Sequence, residues 1–152
     1  MAQQLITFHL ANQIFGLDIM TVREIRAWTP TTKLPQAPEY ISGVVNLRGT
    51  ALPVLDLSAR LGWSPACPTE RHVIIVAEIA GQLLGLIVDA VSDIVTAQDD
   101  DIQPPPNSGS ETAIDCLSGI VARDDRMIMI LDLTSLTSEF DMIEAALSGV
   151  VI

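Results

Sequence analysis

Basic side chains are scarce in this sequence. Its 152 residues include 8 lysines and arginines against 19 aspartates and glutamates, which gives a formal net charge of −11. Lys33 is the only lysine. Nucleic acids and anionic lipid surfaces attract proteins through clusters of positive charge. The composition therefore argues against nucleic acid and against a negatively charged membrane surface as partners.

Long uninterrupted apolar runs are also missing. The most apolar stretch, residues 74–91, is interrupted by Glu78, Gln82 and Asp89, whereas a membrane-spanning helix needs about 20 mostly apolar residues. The first residues contain no positive segment leading into an apolar one, which disfavours a secretory signal. We therefore expect a cytoplasmic protein without direct membrane insertion.

Cysteine is nearly absent as well. Cys67 and Cys116 lie in dissimilar contexts, and two such residues predict neither a disulfide framework nor a metal site. We expect two unpaired thiols, no metal and no cofactor.

The second half of the chain repeats the first. Residues 11–17 (ANQIFGL) match residues 80–86 (AGQLLGL), and the same offset of 69 aligns Val22 with Val91. A second block, residues 41–57, matches residues 117–133 without a gap at an offset of 76. Self-similarity of this kind indicates two structural units with the same fold.

The two offsets differ, so the second copy contains seven more residues between its blocks than the first. These residues lie between Val95 and Cys116, in a region that contains the segments DDD (99–101), PPP (104–106) and NSGS (107–110). Because this composition disfavours regular structure, we expect an exposed loop there.

Each copy has the pattern of short strands joined by turns. Residues 5–10 and 73–79 are apolar and rich in β-branched side chains, and each is followed by a turn and a second apolar run, which is typical of hairpins. Residues 46–49 (NLRG) predict a tight turn, because Asn46 and Gly49 tolerate a positive φ. Pro53 has no N–H for a ladder hydrogen bond, so we expect it on an edge strand or at a bulge.

Helical signals are few. Asp56 predicts the N-cap of one helical turn that carries Leu57 and Leu61 on the same face, and Asp132 starts the matching turn in the second copy. Ser138 can cap a final amphipathic helix.

Together these patterns predict an all-β protein. Each copy has roughly 60 residues, a length at which a lone domain is marginally stable, so we expect the two to share a hydrophobic interface. The expected units are a first barrel at residues 1–62, a second barrel at residues 73–137, and a C-terminal helix and tail at residues 138–152. Barrel closure would remove exposed edge strands. The sequence leaves open whether the first strand is exchanged between the barrels. It also leaves open whether the surplus apolar residues fill the seam between the barrels or form a contact surface.

No catalytic constellation is recognisable. His9 and His72 each lie on or beside a strand, and their spacing assigns no carboxylate and serine partners. Residues 81–85 (GQLLG) lack the lysine of a phosphate-binding loop, and residues 99–101 lack the glycine of a calcium loop. We expect a protein that is not an enzyme. A small-ligand-binding or hydrolytic β-barrel is a distant alternative, and it requires a polar pocket with a reactive group.

Several segments resemble the signature of the CheW family: residues 18–25 (DIMTVREI), 34–49 (LPQAPEYISGVVNLRG), 53–57 (PVLDL), 85–91 (GLIVDAV) and 127–133 (MIMILDL). The resemblance covers nearly the whole chain. It implies two pseudo-homologous SH3-like barrels of about five strands each, in agreement with the duplication. It also implies a non-catalytic adaptor that couples the cytoplasmic tip of methyl-accepting chemoreceptors to the regulatory domain of a CheA-type histidine kinase. Such an adaptor would be recruited from the cytoplasm to membrane receptor arrays.

The resemblance further implies five receptor-binding residues: Ile19, Val22, Glu24, Leu47 and Arg48. A receptor hairpin tip presents an amphipathic helical surface, which an apolar groove between barrels can accept. A place in the core is the alternative for these apolar residues; it is as well supported for Ile19 but less so for Leu47, which falls in the predicted turn. Glu24 and Arg48 can form an ion pair that holds this turn against the preceding strand, and an exposed pair would shape the site more than stabilise it.

Six further residues are candidates for kinase binding: Gly43, Val44, Ile120, Val121, Ile102 and Gln103. The alternative for the strand residues is a place in the core. Gln103 and Ser108 stand where a basic and an aromatic residue would anchor a partner more strongly, which puts array contacts through residues 102–108 in question. A coupling protein of the same fold in a non-flagellar pathway, such as surface motility, is the second functional hypothesis.

Overall fold

The computed structural model describes residues 2–35, 40–61, 69–79, 81–104, 117–123 and 125–133. These residues form strands almost throughout, with one short helix, so the predicted all-β class is confirmed. The elements in chain order are β1 (Ala2–Leu10), β2 (Gln13–Asp18), a 3-10 turn (Ile19–Thr21), β3 (Val22–Ala27), β4 (Ile41–Leu47), β5 (Thr50–Asp56), α1 (Leu57–Arg60), β6 (Val73–Ile79), β7 (Gln82–Val88), β8 (Ala90–Gln98), a second 3-10 turn (Asp99–Asp101), β9 (Ile102–Gln103), β10 (Leu117–Arg123) and β11 (Arg126–Leu131).

The predicted hairpins form with tight turns. β1 and β2 pair in antiparallel fashion up to Leu10 and Gln13, so only Ala11 and Asn12 remain in the loop. Their φ angles are 51° and 65°. Positive φ at both central positions matches the right-handed twist of the flanking strands, which fixes the register of the hairpin.

The strands form two sheets, and each sheet contains strands of both repeats. One sheet has six strands in the order β8-β1-β2-β11-β10-β9, and the other has five strands in the order β3-β6-β7-β5-β4. The hairpin β1–β2 of the first repeat thus lies among strands of the second repeat, and β6–β7 lies among strands of the first. Residues 1–62 and 73–137 therefore delimit the repeats and not the sheets. The exchange involves a whole hairpin and runs in both directions.

Both sheets close on themselves. In the six-stranded sheet the chain leaves one edge as β8 and returns at the opposite edge as β9, where Gln103 pairs with Ile120 of β10. In the five-stranded sheet the chain beyond β3 reaches β4, since Thr32 and Val44 exchange backbone hydrogen bonds of 2.9 and 2.8 Å. Val44 and Ile120 are equivalent at the offset of 76. The two barrels therefore close at the same place, which supports the SH3-like assignment.

The two parallel strand pairs occupy equivalent positions in the two repeats. Gly16 of β2 pairs with Ile130 of β11, and the equivalent Gly85 of β7 pairs with Val54 of β5. A Cβ atom at Gly85 would lie 2.9 Å from Cγ2 of Ile74. Because carbon atoms do not approach this closely without displacement, the site favours glycine.

The core has one large cluster between the sheets and a smaller one inside each barrel. β6 shows the arrangement: Ile74 and Val76 belong to the interior of the five-stranded barrel, whereas Ile75 and Ala77 belong to the large cluster. Burial of such a side chain contributes about 1.5–3 kcal/mol. Of the two explanations for the high apolar content, the seam between the barrels therefore accounts for a large share.

The predicted helical turn is confirmed at α1. The Asp56 carboxylate accepts a hydrogen bond of 3.3 Å from the backbone N–H of Ala59, and Leu57 and Leu61 are buried. The C-terminal helix predicted from Ser138 onward lies outside the described residues. Within the described ranges, no helix is long and apolar enough to cross a membrane.

The position of Pro53 excludes one of its two expected settings, the edge strand, because β5 lies between β4 and β7. The other expected setting is nearby: the register of β4 shifts between Ile41 and Gly43, and Gly43 opposes Val54, the neighbour of Pro53. Pro53 pairs with Val44, whose backbone groups bond to Thr32 on the other side, and pairing with β7 begins only at Val54. The ladder therefore needs no N–H at this position, which makes proline tolerable inside the sheet.

Candidate docking site

The turn Ile19–Thr21 carries the chain from the six-stranded sheet to the five-stranded sheet. The Asp18 carboxylate accepts a hydrogen bond of 3.0 Å from the N–H of Met20. Arg23 donates a hydrogen bond of 3.0 Å to the carbonyl oxygen of Met20 and one of 2.8 Å to the carboxylate of Glu78. Side chains thus hold both backbone groups of Met20, whose own side chain is 76% exposed. The result is a fixed turn that presents an apolar side chain to solvent.

β3 places charged residues beside this turn. Its residues alternate between half-buried and exposed, but a register shift between Val22 and Glu24 turns Val22 toward the large core cluster, whereas Glu24 and Arg26 share the other face of the strand. Nη2 of Arg48 donates a hydrogen bond of 2.9 Å to Oε1 of Glu24, while Nη1 of Arg26 lies 3.9 Å from Oε2. The hydrogen bond from Arg48 is the main cause that lowers the pKa of Glu24, and the same bond raises the pKa of Arg48. The predicted pair of Glu24 and Arg48 is therefore present.

The hairpin that carries Arg48 differs in detail from its prediction. The two loop residues are Arg48 and Gly49, with φ angles of 50° and 87°, and the Asn46 carboxamide oxygen accepts a hydrogen bond of 2.7 Å from the N–H of Gly49. Positive φ is uncommon for arginine. Leu47 consequently ends β4 and does not lie in the turn, contrary to expectation. It is 3% exposed and packs in the interior of the five-stranded barrel.

Of the five predicted receptor-binding residues, the structure brings Glu24 and Arg48 into contact. Ile19 in the turn and Val22 at the start of β3 are half-buried, whereas the buried Leu47 supports the hairpin from inside. Receptor contacts through all five side chains stay predictions. We call the surface formed by the following residues the β3 surface: Ile19, Met20, Val22, Glu24, Arg26 and Arg48.

The six candidates for kinase binding fall on the two places where the barrels close, which we call the closure seams. Gly43 has a φ of 143°, and a Cβ atom there would collide with the carbonyl oxygen of Thr32. At the equivalent Gly119 a Cβ atom would lie 2.6 Å from Cγ2 of Ile102 and 3.2 Å from the carbonyl oxygen of Gln103. Glycine at both places lets the strands approach closely.

Exposure separates these six candidates. Gly43 is buried, and Val121 belongs to the interior of the six-stranded barrel with 0% exposure. The remaining four reach the surface at least in part: Val44, Ile102, Ile120 and Gln103. Each closure seam therefore has one buried candidate, Gly43 or Val121, next to candidates whose side chains can contact a partner.

His72 lies near a carboxylate and a hydroxyl, the groups that accompany the histidine of a hydrolase, but the three groups are not arranged for catalysis. Its Nε2 lies 3.4 Å from Asp89, and the Thr69 hydroxyl lies 3.4 Å from its Nδ1. The backbone N–H of Thr69 already donates to Nδ1 at 3.0 Å, so this nitrogen cannot act as a base toward the hydroxyl. Asp89 also accepts a hydrogen bond of 3.1 Å from the N–H of Ala11. The group ties the β1–β2 turn to the second repeat.

Sequence reasoning missed several exposed apolar side chains: Met20, Ile25, Ile94 and Met127. Ile25 and Ile94 are equivalent at the offset of 69 and lie on the outer strands β3 and β8. The repeat aligned them, but apolar identity alone does not tell which face of a strand they occupy. The alternation of Ile25 with Glu24 and Arg26 was the available signal.

Two closed β-barrels that exchange hairpins and present a surface of apolar and ion-paired side chains define a protein-docking module. Among the described residues there is no group of three or more side chains suited to hold a metal ion.

Residues 4–141 match the family of the CheW-like domain, and the chain belongs to this family. It is 52% identical over 137 residues to the probable chemotaxis protein CheW of Rhizobium etli, covering 90% of this chain and 88% of that protein. The crystal structure of the scaffolding protein TtCheW from Thermoanaerobacter tengcongensis is similar with a TM-score of 0.81 and 39% identity, over 90% and 92% of the two chains. FrzA of Myxococcus xanthus is 31% identical over 119 residues, covering 78% and 74%.

Proposed function

We propose that this chain is a non-catalytic chemotaxis adaptor that couples chemoreceptors to a CheA-type histidine kinase. It binds the cytoplasmic tip of methyl-accepting receptors through the β3 surface and the regulatory domain of the kinase through the closure seams. It acts in the cytoplasm and is recruited to receptor arrays at the membrane. Support comes from the CheW-like domain and from the names of its relatives, a chemotaxis protein and a scaffolding protein.

The observation that carries the receptor assignment is the ion pair between Arg48 and Glu24. An exposed pair contributes little to folding, yet this one holds an arginine with a positive φ against the neighbouring outer strand. Met20, four residues before Glu24 in the chain, exposes an apolar side chain that can serve as an anchor. An apolar centre with a charged rim is the complement of an amphipathic helix, which is the form of a receptor hairpin tip.

The kinase assignment follows from the equivalence of the two seams. A partner domain with the same barrel fold could pair with a seam in a pseudo-symmetric way, as like surfaces do in dimers. Val44 and Ile120 occupy equivalent places and are both partly exposed. Ile102 and Gln103 border the second seam, where Gln103 provides a polar contact but no strong anchor.

Co-capture tests this function directly. The kinase is immobilised, and a soluble receptor fragment that contains the hairpin tip is applied with and without this protein. We expect saturable retention of the receptor fragment that depends on the protein. Equal retention in its absence, or none in its presence, would overturn the proposal.

The relationship to FrzA favours a second candidate, in which the same adaptor serves another chemosensory pathway. A relative with 31% identity carries a name other than CheW, so the domain is not tied to one system. Deletion of the gene separates the candidates. Loss of swimming chemotaxis supports the first, and loss of surface motility with intact swimming supports the second.

A further inference from the structure

The charge of the chain is divided unevenly between its halves. Residues 1–61 contain five basic and four acidic side chains, whereas residues 62–152 contain three basic and fifteen acidic ones. Nearly all of the net negative charge therefore belongs to the second repeat and the C-terminal region. An acidic partner is repelled from those residues and meets least repulsion at the strands of the first repeat.

The β3 surface is locally positive in this negative molecule. Its charged members are Arg26, Arg48 and one carboxylate, that of Glu24. Arg48 donates the short hydrogen bond to Glu24, whereas Nη1 of Arg26 lies 3.9 Å from Oε2 of Glu24, beyond hydrogen-bond distance. Within the part of the chain that the structure describes, this contact with Glu24 is the one ion pair that Arg26 forms. The Arg26 side chain is 36% exposed.

Arg26 is nevertheless well placed. It lies on the same face of β3 as Glu24, and the carboxylate of Glu24 attracts its guanidinium toward the ion pair. A guanidinium so placed has N–H donors free to bind a second carboxylate in a bidentate manner.

We propose that Arg26 is a specificity residue of the β3 surface and binds a carboxylate on the receptor helix. The partner is then an amphipathic helix with an acidic side chain at the edge of its apolar stripe. This inference rests on the proposed receptor-binding function and names the chemistry of the partner. A neutral or basic residue at that edge would leave Arg26 unpaired or repelled, so the charge selects among helices of similar apolar pattern.

The test compares Arg26→Gln with Arg126→Gln. Arg126 is an exposed residue of β11 in the other sheet, so both variants lose one positive charge and only one alters the β3 surface. Binding is measured by calorimetry to a soluble receptor fragment with its hairpin tip, and to the same fragment with the acidic residues of the tip changed to amides. Thermal melting confirms that both variants fold.

We expect Arg26→Gln to weaken binding of the native fragment about 3- to 10-fold, and Arg126→Gln to change it less than about 2-fold. With the amide fragment, wild type and Arg26→Gln should bind equally weakly. Higher salt should reduce the difference between them on the native fragment.

Two results overturn the inference while leaving receptor binding intact. One is equal binding of the native fragment by wild type and Arg26→Gln. The other is an effect of Arg26→Gln on binding to the kinase regulatory domain alone. If wild type binds neither receptor fragment, the proposed function itself fails, and this inference fails with it.

Discussion

Arg48 and Glu24 join the two outer strands of the five-stranded sheet through a hydrogen bond of 2.9 Å. The backbone bridge between Thr32 and Val44 joins the same side of the barrel farther along β4. Since both charged side chains reach solvent, the bond chiefly fixes the shape of the surface.

Arg48→Glu tests this role of the pair. Two carboxylates would then face each other and push the hairpin away from β3, so we expect receptor binding to fall at least about tenfold. The melting temperature should change by no more than about 4 °C, because no core contact is lost. Arg126→Glu provides the same charge change on the other sheet, and unchanged co-capture with Arg48→Glu would contradict the assignment.

Acidification should release the same pair. The hydrogen bond from Arg48 lowers the pKa of Glu24 in the folded protein below the ordinary value of 4.5. The contribution of the pair is therefore fully present above that value and is lost as the pH falls through the lowered pKa. We expect receptor binding to be constant from neutral pH down to the ordinary pKa and to decline below it. The measurement uses the receptor fragment whose acidic tip residues are changed to amides, so that the receptor's own carboxylates do not titrate. With that fragment Glu24→Gln should lack the acidic step, and a matching decline in that variant would show that another group titrates.

The closure of the five-stranded barrel depends on Gly43. An alanine there would be strained by the φ of 143° and would meet the backbone of Thr32, which cannot move freely. Gly49 also has a positive φ, of 87°, but an alanine methyl group at that position would have no neighbouring atom within 4 Å. In urea denaturation we expect Gly43→Ala to cost about 3 kcal/mol or more and Gly49→Ala about 1 kcal/mol. Equal losses would mean that the close approach to Thr32 does not limit the fold.

The hairpin exchange predicts that the two repeats stay together without a covalent link. Four ladders join strands of different repeats: β1 with β8, β2 with β11, β3 with β6 and β5 with β7. A protease site placed between α1 and β6 allows the chain to be cut after folding. The two fragments should elute together in gel filtration and separate only in denaturant. Fragments that separate in buffer would show that the ladders are too weak to hold the halves.

Sequence periodicity predicted the strands well because the physical signal is local. Alternation, β-branched side chains and turn residues located β1, β2 and their copies, and Asp56 marked α1. Arg48 and Glu24 were paired through the family resemblance, since they are 24 residues apart and no local pattern links them.

The strand exchange could not be derived in the same way. Because β8 is the copy of β3, β1 fits beside β3 of its own repeat about as well as beside β8 of the other repeat, and alternation cannot choose between these partners. The one-residue error at Leu47 has a related cause. Asn46 and Gly49 both tolerate a positive φ, but the register with β5 places the loop at Arg48 and Gly49.

Kinase activity in a reconstituted mixture tests the central claim most directly. Autophosphorylation of the CheA-type kinase is measured with receptor fragments, with and without this protein, and with Arg48→Glu in its place. The account predicts that receptor state controls the kinase only when the wild-type protein is present. Receptor control of equal strength without the protein, or no control with it, would contradict the account.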